Sequence, residues 1–175
     1  MTLKPEFGLS GSALKVIAMI SMVIDHVALY LMEHGTVLYG TMRCIGRIAF
    51  PVFAFLIAGR GLFYQKSRYR YFFTLLGFAV ISEIPWYLLN GADGTHNVMF
   101  TLALGVATLM VLENLLQRSI VLGFLWTLGM SGLASWLGVD YEWRGILVIV
   151  IFYLFNGHGH SFPYSKDMQF FAHLL

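Results

Sequence analysis

The apolar run at residues 13–32 constrains this chain most, because a helix of about 20 mostly apolar residues crosses the hydrocarbon core of a bilayer. Further apolar runs follow it along the chain, at residues 45–63, 71–89, 98–116, 120–137 and, more briefly, 145–155. Of all residues, 58% are hydrophobic and 11% are charged, whereas soluble domains carry about 25% charged residues. The sequence therefore predicts an all-α polytopic membrane helix bundle with about six transmembrane helices.

The connections between these runs are short and polar, and no linker divides them, so we expect one transmembrane domain at residues 1–155 and a polar tail at 156–175. Basic residues crowd the start of the first run and the connection between the second and third, at Lys4, Lys15, Arg60, Lys66, Arg68 and Arg70. Acidic residues occupy later connections instead, at Asp93, Asp140 and Glu142. Because basic loops stay in the cytoplasm, both termini are predicted to lie there.

An aspartate and a histidine, Asp25 and His26, lie side by side deep inside the first apolar run. Ionisable groups at this depth are costly, so an intramembrane pair is a functional candidate by default. Adjacent residues point about 100° apart around a helix, so we expect separate partners: an arginine for Asp25 and another carboxylate for His26. A histidine held by a carboxylate is what general-base catalysis needs.

With the predicted orientation, polar residues of several other runs fall at a similar depth in the outer half of the membrane. They are Arg43 and Arg47 before the second run, Ser82 and Glu83 beside Pro85 in the third, Asn97 and Thr101 at the start of the fourth, and Asp140, Tyr141 and Arg144 before the last. This convergence predicts a polar cluster within the membrane.

Structural interpretations remain open beside the functional one. Asp25 and His26 could fix the register of packed helices, Arg43 and Arg47 could contact lipid head groups, and the basic connection could serve only as a topology signal. No dense basic patch with interleaved aromatic residues predicts nucleic-acid binding. His158, His160 and His173 lack a carboxylate or cysteine at metal-ligand spacing, so no metal site is predicted.

Five short blocks, taken together and in this order, resemble the TraX family of membrane proteins. They are LKVIAM followed by IDH within residues 14–26, GRIAFPVFAF at 46–55, ISEIP at 81–85, NVMFTL at 97–102 and DYEWRG at 140–145. The resemblance covers most of the chain up to about residue 155.

This resemblance implies an activity, since members of the family are associated with N-terminal acetylation of conjugative pilin. The family is also similar to transmembrane acyltransferases that use cytosolic acetyl-CoA, which implies a multi-pass protein of the bacterial inner membrane. It implies that His26 is the catalytic histidine, supported by Asp25 and Glu83. Substrate or oxyanion contacts would then come from Arg43, Arg47, Asn97, Thr101, Asp140 and Tyr141.

The resulting hypothesis is an acetyltransferase that takes acetyl-CoA from the cytoplasm. Its phosphates would lie near Arg60, Lys66, Arg68 and Arg70, and no metal would take part. The acceptor would be an amine or hydroxyl at the outer half of the membrane: a peptide N-terminus such as pilin, a glycan or a small amine.

The main alternative is a small proton-coupled transporter or channel built on Asp25, His26 and Glu83. An assembly factor and a homodimer also remain open.

Overall fold

In the computed structural model of the chain, residues 10–59, 68–91 and 93–156 are described. These ranges form helices and no strand, which confirms the predicted all-α membrane bundle. In chain order the helices are α1 (Gly11–Leu31), α2 (Val37–Gly46), α3 (Ala49–Ala58), α4 (Arg68–Asn90), α5 (Val98–Arg118), α6 (Ile120–Trp136) and α7 (Glu142–Asn156).

Four segments in the described ranges are long and apolar enough to cross a membrane. They are Gly11–Leu31, Val37–Ala58, Arg68–Asn90 and Val98–Arg118. Helix α6 is apolar but shorter, at 17 residues, and α7 has 15. Four of the six predicted spans are therefore long enough to cross a membrane. The last two correspond to α6 and α7, which are shorter.

The predicted start of the second span, at about residue 45, was wrong. The helical segment begins earlier, within residues 33–44, which were expected to form a polar connection. Helix α2 already begins at Val37, where the Thr36 hydroxyl oxygen accepts a hydrogen bond from the Tyr39 N–H at 3.2 Å. A threonine at this position satisfies one of the free N–H groups of the first helical turn. Arg43 consequently lies in the last turn of α2, and α3 begins after a turn at Arg47.

The chain forms two compact units, of which the first ends at Leu56. In this unit α1 packs against α2. The buried residues of α1 are small (Ala18, Ser21 and Ala28), and their spacing places Asp25 on the same helical face. The α2 backbone approaches so closely there that a Cβ atom added at Gly46 would overlap with the Asp25 side chain and backbone.

The second unit begins at Ile57, and α5 is its centre, because α5 packs against α4, α6 and α7. The apolar side chains of α5 recur every three or four residues and are buried, at Leu102, Val106, Leu109 and Leu112. Helix α7, which packs against α5, contributes the buried Ile146, Ile149 and Tyr153. Gly105 leaves room for Ile149, since a Cβ at that position would overlap with the isoleucine side chain.

Two loops of the second unit are joined at one end of its helices: the α4–α5 loop at residues 91–97 and the α6–α7 loop at residues 137–141. The His96 N–H donates to the Gly138 carbonyl at 2.9 Å, and the Asp140 N–H donates to the His96 carbonyl at 2.9 Å. Gly138 has a φ of 65°, and a Cβ there would collide with the Gly94 carbonyl. Glycine therefore allows the close approach that brings both polar loops together.

Candidate functional site

In the first unit, Asp25 and Arg43 form an ion pair across the α1–α2 contact. Arg43 donates from a guanidinium nitrogen to Asp25 Oδ2 at 2.5 Å, and the side chains of Arg43 and Asp25 are 20% and 22% exposed, respectively. The expectation that an arginine neutralises Asp25 is confirmed. The pairing follows from helix geometry, because Asp25 lies on the face of α1 that meets α2.

The second carboxylate oxygen of Asp25, Oδ1, is buried and has no hydrogen-bond partner among the residues that the structure describes. It lies beside Gly46, where the two helices approach most closely. An unsatisfied buried acceptor costs about 1–3 kcal/mol. The close α1–α2 contact thus leaves one oxygen of Asp25 unsatisfied and inaccessible to solvent.

His26 lies outside the packed face of α1 and is exposed. Its Nδ1 is 2.7 Å from the Met22 carbonyl oxygen, one turn earlier in the same helix. A carbonyl oxygen only accepts hydrogen bonds, so Nδ1 carries the proton and Nε2 of the neutral ring has a free lone pair. The partner of His26 is thus a backbone carbonyl and not the carboxylate we expected. The Met22 carbonyl, four residues earlier in α1, lies within hydrogen-bond distance of the imidazole, so the bond requires no residue of another helix.

Arg47 differs from Arg43, although the two were predicted to share a helical face. It is the C-terminal cap of α2, and its side chain is exposed. Within the described ranges its guanidinium makes no hydrogen bond or ion pair. Arg47 therefore keeps all its donors for a bound group.

In the second unit, Glu83 of α4 accepts three hydrogen bonds. Its Oε1 is 2.5 Å from His96 Nδ1, and its Oε2 accepts from the Asn97 side-chain amide at 2.6 Å and the Asn97 backbone N–H at 3.3 Å. Asn97 is the residue that caps the N-terminus of α5. The Glu83 side chain thus lies at the N-terminus of α5, an end of a helix that favours negative charge.

Asn97 does not fit the oxyanion role predicted for it. Its side chain is buried, and its amide nitrogen donates to the Ala79 carbonyl at 2.9 Å as well as to Glu83. Its amide oxygen accepts from the Met99 N–H at 3.0 Å. An amide nitrogen has two N–H groups, and both are used here. Asn97 instead holds α4 against the start of α5 and fixes the position of Glu83.

His96 is a further polar residue of this cluster, and the sequence pattern did not indicate it. Its Nδ1–H donates to Glu83, its ring lies 5.5 Å from the Phe100 ring, and its side chain is 43% exposed. Its Nε2 has no partner in the part of the chain that the structure describes. No spacing pattern pairs His96 with Glu83, because the contact arises only when the 91–97 loop folds back along α4.

Thr101 and Asp140 meet, but not through two side chains. The fully buried Thr101 hydroxyl donates to the Asp140 backbone carbonyl. Asp140 Oδ1 accepts from the Tyr141 N–H at 2.9 Å, and Tyr141 has a φ of 63°, which is uncommon for a residue other than glycine. Thr101 therefore anchors the 137–141 loop onto α5, and its hydroxyl proton is already engaged.

The end of the second unit that carries these loops is rich in carboxylates, with Glu83, Asp93, Asp140 and Glu142. The Thr95 N–H and hydroxyl donate to Asp93 Oδ1 at 2.9 and 2.7 Å and lower the pKa of that exposed carboxyl below its usual value. Asp93 is therefore ionised at neutral pH. This charge distribution favours a cationic ligand over an anionic one.

The opposite end of the second unit carries arginines. Arg68 at the start of α4 donates to Glu113 near the end of α5, and Arg70 and Arg118 are exposed at the same end. Of the four residues predicted to contact the phosphates of acetyl-CoA, Arg60 and Lys66 lie outside the described residues. Arg68 is partly neutralised by Glu113.

The described residues contain no group of three or more His, Cys, Asp or Glu side chains that could hold a metal ion. His158, His160 and His173 lie outside the described ranges. In the candidate site, the described groups of the first unit are the His26 imidazole, the Asp25 carboxylate and the Arg43 and Arg47 guanidinium groups; those of the second unit are the His96 imidazole and several carboxylates.

Sequence comparison relates the chain to a protein family and to curated proteins. A family model described as TraX protein matches residues 10–173. A probable fimbrial assembly protein, FimC (serogroup H1) of Dichelobacter nodosus, is 31% identical over 95% of this chain and 68% of its own length. An uncharacterized protein of Rickettsia prowazekii (strain Madrid E) is 36% identical over 81% of this chain, and the chain spans only 52% of it. No solved structure matches the chain.

Proposed function

The chain belongs to the TraX family, and we propose that it is an integral membrane acetyltransferase, which moves an acetyl group from acetyl-CoA to an amine or hydroxyl acceptor. One observation carries this proposal. His26 lies in a helix long enough to span the membrane, and its bond to the Met22 carbonyl fixes the tautomer whose Nε2 can accept a proton.

In the proposed reaction, His26 Nε2 takes the proton that the acceptor nitrogen or oxygen loses as it attacks the thioester carbonyl. The new bond to the acetyl carbon forms while the carbon–sulfur bond breaks, and the CoA sulfur leaves with the proton that His26 received. A variant of the scheme has the imidazole attack first and form an acetyl-histidine. The fixed tautomer serves both versions, since each uses the lone pair on Nε2.

Arg43, Asp25 and Arg47 support this chemistry in different ways. The Asp25–Arg43 pair holds α1 against α2 and so fixes the helix that presents His26. Arg47 is the better candidate for stabilising the oxyanion of the tetrahedral intermediate, because its guanidinium has no partner within the described residues. Such a donor is worth a factor of about 10²–10³ in kcat.

For the donor, we propose that the arginine-rich end of the second unit faces the cytoplasm and attracts the phosphates of acetyl-CoA. Arg68 and Arg70 of the predicted set, together with Arg118, provide guanidinium groups that suit phosphate oxygens. This orientation also agrees with the preference of basic residues for the cytoplasmic side, and it puts the carboxylate-rich loops at the outer side. The location would be the bacterial inner membrane.

The acceptor class follows from two considerations. A relative of this chain is named as a probable fimbrial assembly protein, which makes the N-terminal amine of a pilus subunit the first acceptor to test. A glycan hydroxyl and a small amine are the other acceptors that the same chemistry would serve. The carboxylates of the outer loops favour the cationic acceptors among these.

The direct test uses purified protein in lipid vesicles with isotopically labelled acetyl-CoA, first to measure binding and then transfer. Acetyl-CoA should raise the melting temperature, because a ligand at 100 times its Kd stabilises the native state by about 2.7 kcal/mol. ADP and acetate are the controls. Labelled acetyl should then appear on a peptide amine or a glycan.

Two results would contradict the proposal. Proton-coupled solute flux without CoA chemistry would support the transporter, and the absence of both activities in folded protein would favour the assembly factor.

A further inference from the structure

We propose that Tyr30 is a positioning residue for His26, because its ring lies against the imidazole and keeps Nε2 in one direction. This inference rests on the proposed function, in which His26 is the proton-accepting group. Its observation is a ring contact within α1: the centroids of the His26 and Tyr30 rings are 6.1 Å apart, and the ring planes are inclined by 38°. Aromatic rings that interact have centroids about 4.5–7 Å apart.

The contact follows from the spacing of the two residues. Tyr30 comes four residues after His26 in α1, so both side chains lie on the same helical face. Long side chains in a helix lean toward its N-terminus, and the Tyr30 ring therefore extends back over the turn that carries His26. The same lean brings the His26 imidazole to the Met22 carbonyl, another turn earlier. Three successive turns of one helix thus hold the arrangement.

The hydrogen bond to Met22 does not fix the imidazole by itself. The position of the ring depends on two side-chain torsion angles, and the 2.7 Å contact between Nδ1 and the Met22 carbonyl oxygen constrains one combination of them. The Tyr30 ring restricts the remaining motion from the next turn of the helix. Tyr30 is half-buried whereas His26 is exposed, so packing restricts the tyrosine more than the histidine.

The orientation of the ring decides which nitrogen of His26 can take a proton. With Nδ1 at the Met22 carbonyl, the hydrogen is on Nδ1 and the lone pair is on Nε2. An imidazole that leaves this carbonyl can adopt the other tautomer, whose Nε2 carries the hydrogen and accepts no proton. Loss of the Tyr30 ring should therefore lower kcat. The KM for acetyl-CoA should change little, because the contact acts on proton transfer and not on donor binding.

The test compares wild type with two variants. Tyr30→Leu removes the ring and keeps an apolar side chain, whereas Tyr30→Phe keeps the ring and removes only the hydroxyl. In protein labelled with ¹⁵N at histidine, the chemical shifts of the ring nitrogens report the tautomer of the uncharged imidazole, and His26→Gln identifies the His26 signals. Tyr30→Leu should show a mixture of tautomers and a kcat about tenfold lower. Tyr30→Phe should resemble wild type in both.

Tyr39→Leu is the matched control, because Tyr39 of α2 makes a similar contact with another histidine of the first unit. The centroids of the His34 and Tyr39 rings are 4.8 Å apart, and the ring planes are inclined by 47°. His34 has no part in the proposed reaction. Tyr39→Leu should therefore leave the His26 signals and kcat at their wild-type values. An equal loss of kcat in Tyr39→Leu and Tyr30→Leu would overturn the inference.

Two further results with the variants would overturn the inference. One is folded Tyr30→Leu with a single His26 tautomer or with the kcat of wild type. The other is an equal loss of kcat in Tyr30→Phe and Tyr30→Leu, which would assign the effect to the hydroxyl. The melting temperature and its increase with acetyl-CoA verify that each variant is folded and binds the donor.

A measurement on wild type alone covers the case in which Tyr30→Leu does not fold. Nuclear Overhauser effects should connect the ring protons of His26 with those of Tyr30, and their absence would contradict the inference. The inference and the proposed function fail separately. If wild type transfers acetyl to no acceptor, the proposed function fails, whereas the His26 tautomers in Tyr30→Leu still decide whether Tyr30 positions the imidazole.

Discussion

At the scale of single residues, two neighbours in one helix have different tasks because a helix turns by 100° per residue. Asp25 lies on the face of α1 that packs against α2 and is neutralised by Arg43. His26 lies beyond that face, is exposed, and is held by its own helix through the Met22 carbonyl. The aspartate therefore belongs to the packing of the first unit, and the histidine remains available for chemistry.

Loss of Arg43 alone from the Asp25–Arg43 pair should destabilise the protein more than loss of both charged partners. Replacing Arg43 by Gln leaves Asp25 charged and unpaired, and we expect a loss of about 1–3 kcal/mol, because a buried polar group then has no partner. The double variant Asp25→Asn, Arg43→Gln removes the charge and should recover part of this loss. Melting in detergent measures both. A double variant less stable than Arg43→Gln alone would contradict the pairing.

Asp93 provides a pH-dependent contribution outside the membrane-spanning helices. Its pKa is lowered because Thr95 donates two hydrogen bonds to the carboxylate, so the ionised form favours the folded turn. The contribution is present above the ordinary aspartate pKa of about 3.9 and is lost as the pH falls through the lowered value. The hydrogen-exchange protection factor of the Thr95 N–H should fall in that acidic range. In Asp93→Ala it should be low already at pH 6.

At the scale of helices and loops, close approach is achieved with glycine. Gly46 at the end of α2 has no room for a side chain because Asp25 occupies the space, whereas Gly40 in the same helix has no atom within 4 Å of its Cβ position. One glycine is thus required by a helix contact, and the other is required by nothing in its surroundings. The two make a matched pair.

Gly46→Ala should destabilise the first unit, because the added methyl group forces α1 and α2 apart or distorts the Asp25–Arg43 pair. Overpacking of this kind costs typically 1–3 kcal/mol. Gly40→Ala should instead be neutral or stabilising by up to about 1 kcal/mol, since alanine is the better helix former. Thermal melts of the two variants in the same detergent distinguish them. Equal effects of the two substitutions would show that the α1–α2 contact is not as close as described.

The sequence predicted the helices well because long apolar runs have few alternatives in a membrane. It misplaced the start of α2 because residues 33–44 contain enough polar residues to look like a loop, and the cap at Thr36 is a local signal that hydropathy does not register. It predicted the Asp25–arginine pair from charge alone. It missed the Glu83–His96 pair, because that contact depends on the path of the 91–97 loop.

At the scale of the whole molecule, the exposed surface is largely apolar, as a membrane protein requires. Large apolar side chains on the described helices are more than half exposed, including Val23, Phe78, Leu88, Val121 and Phe124. In a bilayer these side chains meet acyl chains. Among the described residues, charged side chains gather in a few clusters: Asp25 with Arg43 beside His26 in the first unit, and in the second unit the carboxylate-rich end and the arginine-rich end. Within the described residues, His26 of the first unit and His96 of the second each have no hydrogen-bond partner at Nε2.

The most direct measurement of the central claim compares acetyl transfer by wild type, His26→Gln and the matched control His34→Gln, all reconstituted in vesicles with acetyl-CoA and a pilin-type peptide amine. If His26 is the proton-accepting group, His26→Gln should lose at least 100-fold in kcat while its melting temperature and acetyl-CoA binding stay close to those of wild type. His34→Gln should retain full activity. Full transfer by folded His26→Gln would contradict the account.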